Sequence, residues 1–212
     1  MAYDFNGTSN HIEAATPAVT THPVTLACWF NSDTDAATQA LVSVTNAGGQ
    51  ERWILQAAGA VAGDYIRATS SASNVSSFAE SLSGYSVNTW HHAAGVFASN
   101  SSRRAFIDGI GGTAETTTRL VGTVTNTRIG VTVGGGVRTQ YTNGRIAEVG
   151  IWNAALTDAE ISSLAKGIKP TEISPDNLVF YAPLIRDVAD YVGNLTLTTT
   201  GAIVADHTRR YG

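Results

Sequence analysis

Apolar and polar positions alternate with a period of two along most of this chain, and a helical spacing takes over convincingly only once, late in the sequence. From Val24 to Asn31 the residues Val24, Leu26, Cys28 and Phe30 fall on one side of an extended strand, with Thr25, Ala27, Trp29 and Asn31 on the other. That second side is mixed, as expected where a sheet is covered on one face and only partly on the other. Shorter runs of the same kind surround it. Tyr3 to Phe5 and His11 to Ala14 flank the turn Asn6-Gly7-Thr8-Ser9-Asn10, which predicts a hairpin or an edge. Ala40 to Val44 and Arg52 to Gln56 flank a turn at 46–49 and predict a strand pair. Tyr65 to Thr69 predicts another strand, and a weak one is expected at Val75 to Phe78 within a serine-rich stretch. Residues 88–98 and 103–109 predict a hairpin. Leu120 to Val124 and Thr127 to Val133 continue the series, and the loop Gly134-Gly135-Gly136 then leads to Arg138, Gln140 and Tyr141.

The clearest strand and the one helix lie side by side. From Gly144 to Trp152, Ala147, Val149 and Ile151 alternate with Ile146, Glu148, Gly150 and Trp152, and since neither face is fully polar the strand is expected to be central. Thr157 stands where an N-cap belongs, Glu160 completes a capping box, and Leu156 can pack on Ile161. Lys166 favours the negative end of the helix dipole, Gly167 can terminate the helix and Pro170 prevents its resumption. The spacing therefore predicts a short helix over 157–166. Beyond it, Asn177 to Leu184 predicts a strand at an edge because it carries Pro183, with short pieces at Leu195 to Thr199 and Ala202 to Val204 and an exposed tail over 207–212. Many short strands, glycine- and asparagine-rich turns and one late helix describe an all-β, two-layered antiparallel fold; sandwich and barrel fit the pattern equally. Its 212 residues fit a single domain, 1–206.

Composition narrows the partners. With 13 basic and 17 acidic residues the formal charge is −4, and no run of Lys or Arg marks a phosphate-binding stripe, which argues against nucleic acid. No stretch approaches the ~20 apolar residues of a membrane span, and the N-terminal residues lack the basic start and apolar core of a secretory signal. Cys28 is the single cysteine and belongs to an apolar alternation, so a small buried hydrophobe is expected and a disulfide framework is excluded.

Three segments, in this order, carry a resemblance. They are residues 3–12 (Y-D-F-N-G-T-S-N-H-I), residues 88–97 (N-T-W-H-H-A-A-G-V-F) with Phe106-Ile107-Asp108-Gly109, and Gly144 to Trp152 with Ala155-Leu156-Thr157. Together the chain resembles the laminin-G-like, concanavalin A-like jelly-roll family, in its bacterial-surface and phage variant. The family's opening F-x-G, its W-H-H hairpin ending in D-G and its strand-to-helix signature are all present, whereas the Asp that usually precedes Glu148 is Ala147 here. The resemblance implies a two-sheet antiparallel jelly-roll sandwich. It also implies a non-enzymatic virion structural protein, a capsid decoration or fibre-like subunit on the phage particle surface, forming a homo-oligomer, with a trimer expected by analogy. The alternative it implies is a carbohydrate-binding module, calcium-dependent or not, attaching its carrier to a surface glycan, and the second alternative is a glycoside hydrolase. Because the family often binds calcium through turn oxygens, Asp4, Asn6, Asp108 and Glu148 are the expected ligands of a structural calcium.

Catalytic motifs are sparse. Related glycoside hydrolases carry an E-x-D-x-x-E strand, and the nearest carboxylate here, Glu148, has Ile146 and Gly150 at the period-two positions. No G-x-S-x-G elbow supports serine chemistry. His91 and His92 are neighbours on a predicted strand, so they are expected to face opposite ways and not to share a metal ion, with Trp90 filling the core. Sugar recognition needs aromatic faces and planar polar groups, which Trp53, Tyr65, Arg67, Arg138 and Tyr141 would supply if their loops converge. Trp29, Trp90 and Trp152 are expected in the core.

Overall fold

The structure, a computed structural model, describes residues 1–205; the predicted tail, 207–212, lies outside the described residues. Its strands in chain order are β1 (Ala2–Asn6), β2 (His11–Ala14), β3 (Val24–Ser32), β4 (Thr38–Thr45), β5 (Arg52–Ala58), β6 (Tyr65–Ala72), β7 (Val75–Gly84), β8 (Trp90–Ser99), β9 (Ser102–Ile107), β10 (Ile110–Gly111), β11 (Asn126–Ile129), β12 (Thr132–Gly134), β13 (Val137–Thr139), β14 (Asn143–Trp152), β15 (Leu178–Ala182), β16 (Thr198–Thr200) and β17 (Ile203–Ala205). Among the described residues one α-helix, α1 (Asp158–Ala165), follows β14. The first sheet has the order β10-β9-β8-β3-β14-β1-β17, with β15 beside β14, and the second runs β16-β2-β11-β4-β5-β6-β7. All pairings are antiparallel. The fold is therefore the jelly-roll sandwich.

Between the sheets lies a core drawn from both inner faces, with Leu26, Cys28 and Phe30 of β3 meeting Val42, Val44, Trp53 and Leu55 of the second sheet. Cys28 is enclosed there, and burial pushes its thiol far above the ordinary range, so it serves as a small hydrophobe. The N-terminal segments form no hairpin. β1 belongs to the first sheet and β2 to the second, each inside its sheet, and the turn between them crosses the sandwich. Asn6 Oδ1 organises that crossing by accepting from the backbone N–H groups of Thr8, Ser9 and Asn10 at 3.0–3.1 Å.

Two further expectations are corrected. Residues 120–124 make no strand; Val124 and Val121 anchor a loop on the core through apolar contacts that alternation alone cannot distinguish from a ladder. The run from Thr127 to Val133 breaks at Gly130, whose φ of +78° and contact with the Phe5 ring, 2.5 Å from an ideal Cβ, admit no side chain. The weak strand at Val75 extends instead to Gly84.

β14 is central, as its pattern required. β3 runs along one side; on the other, β1 pairs with residues 143–146 and β15 with residues 149–152. Where partners change, the register with β3 shifts between Ala147 and Gly150 and Glu148 takes φ +53°. This bulge corrects the simple alternation: Ile146 joins Val149 and Ile151 in the inter-sheet core, while Trp152 lies on the outer face. α1 packs on that outer face. Thr157 Oγ1 accepts from Glu160 N–H and Glu160 Oε2 accepts from Thr157 N–H at 2.7 Å, completing the capping box. Leu156, Ile161 and Leu164 then bury against Ala94, Val96, Phe106 and Trp152. Gly167, at φ +92°, ends the helix.

Candidate functional site

Eight residues give α1 a length of about 12 Å, so it covers only part of the first sheet's outer face. Beside its C-terminal end a cleft of about 580 Å³ opens over β8, β3 and β14, within the range of small-molecule sites. Its floor holds Trp29 and His92, which pair across β3 and β8, with Ala27 and the enclosed Trp152. Trp90 and Asn88 stand at one side, and Ile168, Lys169 and Pro170 form the wall that follows the helix. Asp108, from the turn after β9, and Glu148, from the bulge, supply the carboxylates.

Each polar group is positioned by a visible cause. The left-handed backbone at Glu148, costly for a residue with a Cβ, places its carboxylate where Tyr181 Oη donates to Oε2 at 2.5 Å. Asp108 Oδ1 accepts from His92 N–H at 2.8 Å, and Oδ2 lies 2.7 Å from His91 Nδ1. Because His91 Nε2 accepts from Ser86 N–H, the proton on that ring sits at Nδ1 and is donated to Asp108. Burial alone would raise the Asp108 carboxyl, and the bonds from His91 and His92 outweigh it, holding the group below the usual carboxylate range. His92 is 2 % exposed; burial pushes its imidazole down to about 4 against the opposing pull of Asp108, so the ring is neutral at pH 7. That ring meets Trp29 edge to face at 5.5 Å, and its Nδ1 is buried without a hydrogen-bond partner.

The sugar-binding group expected from sequence does not converge. Trp53 is 0 % exposed in the inter-sheet core, its Nε1 donating to His22 Nε2 at 3.1 Å, so it presents no face to a ligand. Tyr65 and Arg67 lie on β6. The Arg67 guanidinium donates to Glu80 and sits 4.0 Å above the Phe78 ring. Arg138 and Tyr141 lie at the far side of the same sheet, over β2, where Arg138 bonds Glu13 at 2.5 Å and Tyr141 meets His11 edge to face. Between the two groups the chain's own segment 131–142 occupies the sheet's outer surface: Ser43 and Arg52 donate to the carbonyls of Val131 and Val133, and Gln56 to the Gln140 side chain. A shallower hollow of about 340 Å³ beside β7 includes Tyr65 alone of the expected residues.

The expected calcium ligands separate likewise. Asp108 and Glu148 share the cleft, whereas Asp4 pairs with Arg145 on β14 and Asn6 is engaged in its turn. Among the described residues no three His, Cys, Asp or Glu side chains converge to hold a metal ion. His91 and His92 face opposite sides as expected, His91 lying at a tilt to Phe30 and His92 edge to face with Trp29. Trp29 and Trp90 do not fill the core; both are half-buried and line the cleft. The sequence contained one signal for this pair: strand alternation puts Trp29 on the face opposite Cys28 and Phe30, hence away from the inter-sheet core.

A two-sheet sandwich with an aromatic cleft beside a short helix is a lectin-type architecture. The chain belongs to the concanavalin A-like lectin/glucanases superfamily, which residues 6–162 match. No curated protein sequence matches the chain. Among solved structures, a native heptameric SAP-like pentraxin from Limulus polyphemus superposes with a TM-score of 0.70 at 12% identity, covering 95% of this chain and 93% of that one. A putative carbohydrate binding protein from Bacteroides ovatus gives 0.69 at 16% identity, covering 100% of this chain and 61% of that one. The Ruminococcus gnavus IT-sialidase CBM40, solved with alpha2,3 sialyllactose, gives 0.62 at 14% identity over 78% of this chain and 98% of that one. At these identities the likeness is one of fold.

Proposed function

We propose that this protein is a non-catalytic carbohydrate-binding module that seats an uncharged sugar in the cleft between α1 and strands β8, β3 and β14. The observation that carries the reading is the pairing of two half-buried indoles, Trp29 and Trp90, with fixed polar groups in one cavity of sugar-ring size. Indole faces stack on the C–H face of a pyranose, and the Asp108, Asn88 and Glu148 side chains offer acceptors and donors for hydroxyl groups. The charges lining the cleft are those of Asp108, Glu148 and Lys169, with no arginine fork for a sugar carboxylate or sulfate, which favours an uncharged ligand.

The two carboxylates do not make a hydrolase pair on this reading. A general acid needs a raised pKa, and Asp108 is held low with both oxygens engaged by His91 and His92. On this reading the sugar is recognised through side chains, without a bound calcium ion. The virion decoration role implied by the sequence resemblance is compatible with such a module: the cleft is then what the particle presents to a glycan-coated surface. A homo-oligomer would multiply weak single-site contacts by avidity.

A glycan array, read with and without chelator, tests this. An uncharged glycan should bind equally under both conditions and lose at least about tenfold in affinity in Trp90→Ala, as expected when a stacked aromatic is removed. No signal from any uncharged glycan, or a Trp90→Ala protein with unchanged binding, overturns the reading.

A further inference from the structure

α1 leaves part of the first sheet's outer face beyond the cleft open, and the register of four strands fills that part with one row of side chains. Trp90 of β8 pairs with Asn31 of β3, Asn31 with Arg145 of β14, and Arg145 with Asp4 of β1. Trp90 belongs to both the row and the cleft, and Asn31 follows Trp29 by two residues on the same face of β3, so the two regions are continuous. At strand spacings of ~4.8 Å, β8 to β1 spans about 14 Å, the length of about three pyranose rings in line.

The row has the chemistry of an unfinished hydrogen-bonding site. Asn31 is 4 % exposed, and its Oδ1 is enclosed without a hydrogen-bond partner, an unfavourable condition for a buried acceptor. Opposite it, the half-buried Arg145 guanidinium reaches the carboxylates of Asp4 and Asp33 only at 3.7 Å each, longer than a hydrogen bond. The half-buried Arg145 guanidinium, between the part-exposed carboxylates of Asp4 and Asp33 and beside the enclosed Asn31 amide, provides neighbouring donors and acceptors. Vicinal hydroxyl pairs match such a series, each hydroxyl both giving and taking a hydrogen bond. An anionic ligand does not, because Asp4 and Asp33 offset the single cation.

We propose that the row Trp90, Asn31, Arg145 and Asp4 is a second sugar subsite, so that the protein binds a linear uncharged oligosaccharide of about three rings lying across the strands, with one end in the cleft. This rests on the cleft being the primary sugar seat. The probe is the uncharged linear glycan giving the strongest array signal, titrated calorimetrically as its di- to hexasaccharides. Affinity should rise about tenfold from the disaccharide to the tetrasaccharide and then level off, the equivalent of about 1.4 kcal/mol. In Arg145→Ala and Asp4→Asn the rise should shrink to about twofold while disaccharide affinity is unchanged. Both variants remove only part-exposed ion pairs, and an unaltered melting temperature confirms that the fold is intact. Affinity independent of chain length in the wild type, or an equal loss for disaccharide and tetrasaccharide in Arg145→Ala, overturns the subsite while leaving the cleft standing. An array without any uncharged ligand removes both.

Discussion

Protonating His92 should unlatch the floor of the cleft, and the size of the effect follows from its burial. The imidazole is 2 % exposed, stands against Trp29, and has its pKa pushed from 6.5 down to about 4. In the unfolded chain the same group takes up a proton near pH 6.5, so between those values the unfolded state binds more protons and stability falls as pH falls. Between pH 7.5 and pH 4.5 the linkage amounts to about 2.5 kcal/mol, or about 5–10 °C in melting temperature for a chain of this size. Asp108, which faces His92, has a depressed pKa, so its own loss of stabilisation comes at lower pH, as the carboxyl protonates below the usual range. His22 is also depressed by burial and contributes with the same sign, but it persists in a His92→Phe variant, which keeps an aromatic ring against Trp29. Thermal melts of both proteins across pH 4.5–7.5 isolate the His92 contribution as the difference of slopes. Parallel curves for wild type and His92→Phe would refute a neutral, buried imidazole at this position.

Thr157→Ala removes the Oγ1 that caps α1 and should cost about 1 kcal/mol in denaturant unfolding, because Glu160 N–H loses its acceptor. Arg67→Ala removes a guanidinium stacked on Phe78 and paired with Glu80; urea melts should show a loss of at most about 1 kcal/mol. The same Arg67→Ala protein should retain full glycan affinity, since β6 lies on the sheet opposite the cleft.

Much of the fold was legible because burial on one face enforces period two. Val24 to Asn31 and Gly144 to Trp152 were found within a residue of their ends, and the Thr157–Glu160 capping box fixed the start of α1 from side-chain chemistry alone. Alternation fails where an apolar residue anchors a loop, as at Val121 and Val124, or where one residue is inserted, as at Glu148. Neither event changes local composition. The site was less legible for a related reason. Sequence pattern tells which residues share a strand face but not which face a distant segment covers. The 131–142 segment covers the sheet that carries Tyr65 and Arg67, and α1 stops short of Trp29 and Trp90. Exposure of those two indoles thus depends on tertiary placement. Trp53, on a strand of similar appearance, faces inward and is sealed by His22.

The four tryptophans give the most direct view of where a sugar sits. In an indole-labelled NMR titration with the uncharged oligosaccharide selected by the array, the Nε1–H resonances of Trp29 and Trp90 should shift saturably while that of Trp53, on the inner face of β5, stays in place. Trp29 and Trp90 resonances that stay in place at saturating oligosaccharide would contradict the cleft as the binding site.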